Sequence, residues 1–326
     1  MTDVIDTLID HVRAEGVGKS NEINPFWRKQ LERLGPALSA GPEAIRLALG
    51  YNAARLPEGC AHNADQSDWE DLIHVAKTCE IGDPKRLNGG ANHAGQLRFL
   101  MKQGVFEDYL AWADAQGLMS NMDLGRLYWY GLKLRKALAE RDAGQLSAYL
   151  EVGSGSGRLP MIMAQAGVAR HYVLVDLPEM LINAALLVSE ELPDVPLRYG
   201  ETPDADAEPG FWLLRTSEIS KVPTGFAGAA VNINSFMEMD EEIRDFYIDE
   251  IYRVLHPGGV FYNVNRRQHR MTRRDGSVFD SNPLLYPYRA TDQIIEWEVD
   301  ACQMTCKSGQ FHTPQSYAIS RMAEVR

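Results

Sequence analysis

A chain of 326 residues, 45% hydrophobic and 24% charged, has the make-up of a globular protein large enough for two structural regions. Its formal charge of −12 argues against a nucleic-acid partner, because phosphate backbones attract basic surfaces. No apolar run approaches the roughly 20 residues that span a bilayer, so no membrane partner is expected.

The start Met1-Thr2-Asp3-Val4-Ile5-Asp6 is acidic where a secretory signal is basic, and it reads as a short amphipathic helix. Cys60, Cys79, Cys302 and Cys306 contain no Cys-x-x-Cys pair. They are expected to be reduced thiols, with no disulfide framework, no metal site and a cytoplasmic address.

Residues 1 to about 145 read as helices punctuated by Gly, Pro and Asn. Pro25 opens one helix, and Asp68 and Asp123 can cap two more. The last of these puts Leu124, Leu127, Tyr128, Leu134 and Leu138 on one apolar face. The stretch 85–93 is expected to be a loop.

From about residue 147 short apolar strands alternate with helices. Residues 148–152 form a strand, followed by a glycine loop and a helix ending near Gly167. The strand 172–175 ends at Asp176, and Pro178 suits the first turn of a helix over 178–192. The acidic stretch 201–208 reads as a solvated loop. A buried strand over 229–234 precedes a helix that starts near Asp240, with Ile243, Tyr247, Ile251, Val254 and Leu255 inward. The turn His256-Pro257-Gly258-Gly259 leads into a strand over 260–265, and 294–301 with 315–322 form an antiparallel pair.

The expected fold is therefore α/β. It is a doubly wound, Rossmann-like sheet over 146–326 with an antiparallel C-terminal strand pair, preceded by an all-helical region over 1–145.

The segment Glu151-Val152-Gly153-Ser154-Gly155-Ser156-Gly157 lies where an open parallel sheet binds ligands. Its glycines let backbone N–H groups and a helix N-terminus come close to a ligand. Asp176 can accept hydrogen bonds from two ribose hydroxyls. Nicotinamide enzymes use the same geometry, so an oxidoreductase is an alternative at this point. Three features favour S-adenosylmethionine, with S-adenosylhomocysteine as product. Glu151 stands before the first glycine, where it can position the cofactor's amino-acid end. The glycine spacing differs from the dinucleotide pattern. The Leu255-His256-Pro257-Gly258-Gly259 turn and the final strand pair close the chain as class I methyltransferases do.

The run 149–267 resembles the sugar O-methyltransferase family. The matching pieces are Leu150–Gly157, Asp176-Leu177-Pro178-Glu179, Asn234-Ser235-Phe236-Met237-Glu238-Met239-Asp240 and Phe261-Tyr262-Asn263-Val264-Asn265-Arg266. Asp-Leu-Pro is also similar to small-molecule O-methyltransferases of the caffeate and polyketide type. The resemblance implies that Glu151, Gly153, Gly155, Gly157 and Asp176 line the cofactor, with Ser154 and Leu177 in the same segments. It places Asn234, Ser235 and Phe236 under the adenosyl and sulfonium region. Arg126 and Tyr130, on the preceding helix, can reach the cofactor carboxylate. It further implies a helical lid over the acceptor pocket and a homodimer.

An alcohol acceptor must lose its proton during attack, to a positioned base or a metal. His269, just past the strand 260–265, is the preferred base because it titrates near neutral pH. Glu238 is the second candidate, able to orient a hydroxyl or a metal. Arg266, Arg267, Arg270, Arg273 and Arg274 crowd nine residues. In a helix, Arg266, Arg270, Arg273 and Arg274 would share one face. Arg270 and Arg273 are then expected to bind an anionic acceptor, such as a nucleotide-linked sugar or a carboxylated metabolite; the alternative is a solvated basic loop ending at Asp275-Gly276. The acceptor expected is a hydroxyl of a sugar or other small secondary metabolite. A polyketide, aromatic or carboxylate acceptor, and a cofactor-binding scaffold without turnover, are alternatives.

Overall fold

Strands β1 (Leu146–Val152) and β2 (Ala169–Asp176) are buried on both faces, so they read as nearly continuous apolar runs rather than as alternating ones. The computed structural model describes residues 2–18, 34–41, 91–118, 122–141, 143–273, 275–302 and 317–326, with positions 28, 31, 44, 45, 74, 77 and 78. The helix starts expected at Pro25 and Asp68, loop positions 85–90, and Cys60, Cys79, Arg274, Cys306 and His312 lie outside the described residues.

The remaining strands are β3 (Leu197–Tyr199), β4 (Gly210–Arg215), β5 (Ala227–Ile233), β6 (Leu255–Arg266), β7 (His269–Thr272), β8 (Val278–Ser281), β9 (Gln293–Asp300) and β10 (Ala318–Glu324). Among the described residues, eight of these ten strands form one sheet in the order β3-β4-β2-β1-β5-β6-β10-β9. The six from β3 to β6 in that order run parallel, and β10 is antiparallel to both β6 and β9. This is the expected α/β architecture, with its antiparallel C-terminal pair.

The described helices are α1 (Thr2–Glu15), α2 (Leu34–Ala40), α3 (Ala91–Lys102), α4 (Phe106–Ala115), α5 (Met122–Ala139), α6 (Arg158–Gln165), α7 (Pro178–Glu191) and α8 (Glu241–Val254). Tyr149, Leu174, Val231 and Tyr262 point to one face of the sheet, where α1, α5, α6 and α7 cover them. Leu150, Val173, Ala230 and Phe261 point to the other, against Tyr247 and Ile251 of α8. Helices α3 and α4 and the first half of α5 share a separate core around Leu97, Tyr109, Leu124 and Tyr128.

Helix α7 is buried continuously from Pro178 to Val188. A helix apolar all round needs cover on every side, and α1 supplies the outer one. His11 and Glu15 of α1 reach Arg215 at the end of β4, at 3.0 and 3.4 Å. The Gly18 N–H donates to the buried Glu179 carboxylate at 2.9 Å. This helix therefore lies beside the carboxyl ends of β3 and β4.

Three expectations need correction. Residues 91–93 belong to α3, so the expected loop does not reach them. Strands β3 and β4 were not expected. Their signal is the run Phe211-Trp212-Leu213-Leu214, which is too short to show a period. The arginine-rich stretch is not helical. Strands β7 and β8 form a hairpin that pairs Met271 with Phe279 around Asp275-Gly276, with Gly276 at φ +86°. Asp-Gly is a strong hairpin signal, and here it outweighs the helical spacing of the arginines.

Candidate functional site

The chain leaves β1 toward β2 on one side and leaves β5 toward β6 on the other, so the crevice opens between the carboxyl ends of β1 and β5. Gly153 follows β1 with φ +74°, a conformation glycine adopts at little cost. A Cβ there would overlap the Ser235 hydroxyl, so the two sides of the crevice meet at this point. Gly155 has φ +55° with open space where its side chain would lie. Ser154 Oγ is buried and has no hydrogen-bond partner among the described residues.

Asp176 ends β2, and its carboxylate accepts from the N–H of Gly155 and of Leu177, both at 2.7 Å. A carboxylate offers about four lone-pair positions, which leaves two for a pair of ribose hydroxyls. Burial pushes Asp176 up to about 7, against the pull of the two backbone donors. Glu151 accepts from the Tyr149 hydroxyl at 2.7 Å. Burial raises Glu151 to about 8, Tyr149 opposes the rise, and the charge of Asp176 adds to it. Glycine cradle, buried hydroxyl and paired acids together fit a nucleoside with a charged amino-acid end.

On the β5 side, Asn234 stands at φ +60° and donates its N–H to Val264 O at 2.8 Å, so it turns the chain. Ser235 is half-buried, and Phe236 is buried at the start of a 3₁₀ turn, Phe236–Glu238. Asn232, Asn263 and Asn265 are buried just beneath, and sequence reasoning passed over them. The signal was there: in Val231-Asn232-Ile233-Asn234 and Asn263-Val264-Asn265, a polar amide occupies every second position of a strand otherwise apolar.

Beyond β6, strand β7 packs against the 3₁₀ turn, which brings the His269 hairpin to the carboxyl end of β5. His269 is half-buried, and burial with the nearby Arg266 charge lowers its pKa. Glu238 is half-buried on the turn. Arg270 is exposed and lies opposite Asp280 in the hairpin register. Arg273 is ion-paired with Glu241, donates to Ser277 at 3.1 Å and stacks on Phe279. The hairpin therefore does not gather the arginines on one face. Arg266 and Arg267 are exposed.

Tyr130 of α5 is buried and donates to Asp300 at the end of β9, while Lys133 pairs with Glu296 and Glu298. These bonds tie α5 to the C-terminal strands. Arg126 adds a positive charge beside Asp300. Among the described residues no group of three or more His, Cys, Asp or Glu is placed to hold a metal ion, and no helix is long and apolar enough to cross a membrane.

Residues 150–263 match the model of a family described as a methyltransferase domain. No curated protein matches the chain. Among solved structures, the N-methyltransferase NodS of Bradyrhizobium japonicum, in complex with S-adenosylhomocysteine, is similar at 16% identity and a TM-score of 0.39, over 61% of this chain and 85% of that one. The 1,6-didemethyltoxoflavin-N1-methyltransferase of Burkholderia thailandensis is similar at 13% identity and a TM-score of 0.40, over 76% and 92%. With the family match laid over the glycine loop and the sheet order around it, the chain carries a class I, S-adenosylmethionine-dependent methyltransferase domain.

Proposed function

We propose that the protein is an O-methyltransferase acting on a hydroxyl of a sugar or another small secondary metabolite. The observation that carries this reading is the hairpin of His269 packed on the turn that closes β5. A hydroxyl is a weak nucleophile until its proton has somewhere to go. Histidine with a lowered pKa is neutral near pH 7 and can take that proton as the acceptor oxygen gains the methyl. Bound S-adenosylmethionine supplies a methyl already activated on a sulfonium.

In this reading Glu151, Ser154, Asp176 and Leu177 with the three glycines hold the cofactor, and Asn234, Ser235 and Phe236 lie beneath its sulfonium. Glu238 orients the acceptor hydroxyl. The helical region 1–145 covers the site and supplies the contact of a homodimer, by resemblance to small-molecule O-methyltransferases. The contacts of α1 with Arg215 and of Gly18 with Glu179 support a cover on the cofactor side.

The test is methyl transfer from labelled S-adenosylmethionine across a panel of sugars, nucleotide-linked sugars and hydroxylated aromatics. His269→Ala should lower turnover by about 10²–10⁴ while S-adenosylhomocysteine affinity holds. Product labelled on nitrogen, or full turnover in His269→Ala, would overturn the reading.

A further inference from the structure

Asn232 of β5 and Asn263 and Asn265 of β6 are all 0% exposed, on the α8 side of the sheet at its carboxyl end. Buried carboxamides need partners for every donor and acceptor, and backbone groups fix how Asn232 and Asn265 lie. Asn265 Oδ1 accepts from the Met237 N–H at 3.0 Å, so its amide nitrogen faces away. That nitrogen donates to Asn232 Oδ1 at 2.8 Å and to Asn263 Oδ1 at 2.7 Å. Asn232 Oδ1 also accepts from the Phe236 N–H at 3.3 Å. Its nitrogen donates to the Val152 carbonyl at 2.8 Å and to the Ser235 hydroxyl. The far end of the chain is Asn263 Nδ2, which donates to the Tyr288 hydroxyl at 2.5 Å.

From Asn265 the bonds run two ways, through Asn232 to the carbonyl that precedes Gly153 and through Asn263 to the Tyr288 hydroxyl. Three consecutive groups of the turn after β5 are bound: the Ser235 side chain and the N–H groups of Phe236 and Met237. The same network holds Val152, the residue from which the glycine loop departs.

We propose that Asn232, Asn263 and Asn265 are positioning residues for the cofactor, setting the gap between the glycine loop and the Ser235–Met237 turn. The glycine loop lies outside strand and helix, and the other segment has only the single 3₁₀ turn Phe236–Glu238 to hold it at that distance. A hydrogen-bonded chain whose amides at Asn232 and Asn265 are oriented by backbone partners has few alternative arrangements, which makes it a stiff spacer. The gap it sets is the one in which Ser235 Oγ abuts Gly153. This deepens the cofactor assignment and rests on it.

The test is calorimetric titration of S-adenosylhomocysteine into folded variants, well below each melting temperature. Asn265→Ala removes the hub and should weaken binding about tenfold. Tyr288→Phe loses only the terminal acceptor and should weaken it about two- to threefold, a measurement that stands even if Asn265→Ala does not fold. Tyr172→Phe is the control. It removes a buried hydroxyl bonded to Ala169 and Met163, at the opposite end of the sheet, and should lower the melting temperature without touching affinity. Variants that lose stability yet bind with wild-type affinity would reduce the network to a structural role. A wild type that does not bind S-adenosylhomocysteine at all would instead overturn the cofactor assignment beneath it.

Discussion

The two sides of the crevice are built on different principles. On the cofactor side, backbone does the work: glycines at positive φ, N–H groups aimed at Asp176 and a carboxylate at each strand end. Beyond β5, on the proposed acceptor side, a 3₁₀ turn and a short hairpin carry the assigned side chains. Backbone geometry demands particular residues at particular spacings, so it leaves a motif. Side chains on a hairpin leave only a composition. The cofactor side is thus the part a sequence announces, and the acceptor side is free to vary with the substrate.

The largest expected effect breaks the backbone side. In Gly153→Ala, the left-handed conformation costs about 1–2 kcal/mol and the overlap with Ser235 adds to it. S-adenosylhomocysteine affinity should fall on the order of hundredfold. Pairing Gly153→Ala with Ser235→Gly removes the overlap and leaves the strain, so part of the affinity should return. Equal affinities in the single and double variants would mean that the contact between the two loops does not shape the site.

Next in size is the charge at the end of β2. Asp176→Asn keeps the shape and loses the charge, and should weaken binding roughly ten- to hundredfold. The two buried acids also make the site sensitive to pH. A carboxyl whose folded pKa lies above its unfolded value stabilises the fold while protonated, and that gain is lost as pH rises through the folded value. With Glu151 raised from 4.5 to about 8 and Asp176 from 3.8 to about 7, these groups should make the ligand-free protein less stable across that interval. Glu151→Gln should flatten the upper part of the slope. Cofactor hydroxyls and positive charge favour both carboxylates, so binding should release protons near pH 7 and tighten as pH rises. Calorimetry in two buffers of different ionisation enthalpy measures the release directly, and identical heats would exclude it.

Legibility in the sequence follows the same divide. Strand β1 with its glycine loop, Asp176 after β2, the start of α7 at Pro178 and the start of α8 after Asp240 were all readable, because each is marked by a residue that local geometry requires. Strand β4 was not: six residues between a solvated acidic loop and a 3₁₀ turn carry no period, and only the sheet makes room for them. The arginine stretch was misread because helical spacing and hairpin alternation both fit a few residues. The decision fell to Asp275-Gly276 and to the buried pair Met271 and Phe279. Asn232 was missed in favour of its neighbour Asn234, which turns the chain and leaves the polar work below to the residue two positions earlier.

The smallest effects concern the hairpin, where they sharpen what the acceptor side recognises. Arg273 already has Glu241, Ser277 and the face of Phe279 as partners, so its removal should loosen the hairpin and leave acceptor selection alone. Arg270 is exposed, with Asp280 opposite, and an anionic acceptor that meets this hairpin would meet Arg270. The two substitutions should therefore separate. For a nucleotide-linked sugar, Arg270→Ala should raise the acceptor KM severalfold and weaken its dependence on salt, because a screened charge contact has been removed. Arg273→Ala should leave KM within about twofold and lower the melting temperature instead. S-adenosylhomocysteine affinity should be the same in both, since neither arginine lies in the glycine loop or at the end of β2. If KM for an anionic acceptor stays constant in Arg270→Ala, the hairpin contributes His269 and no charge to recognition. Selection would then fall to residues outside the hairpin.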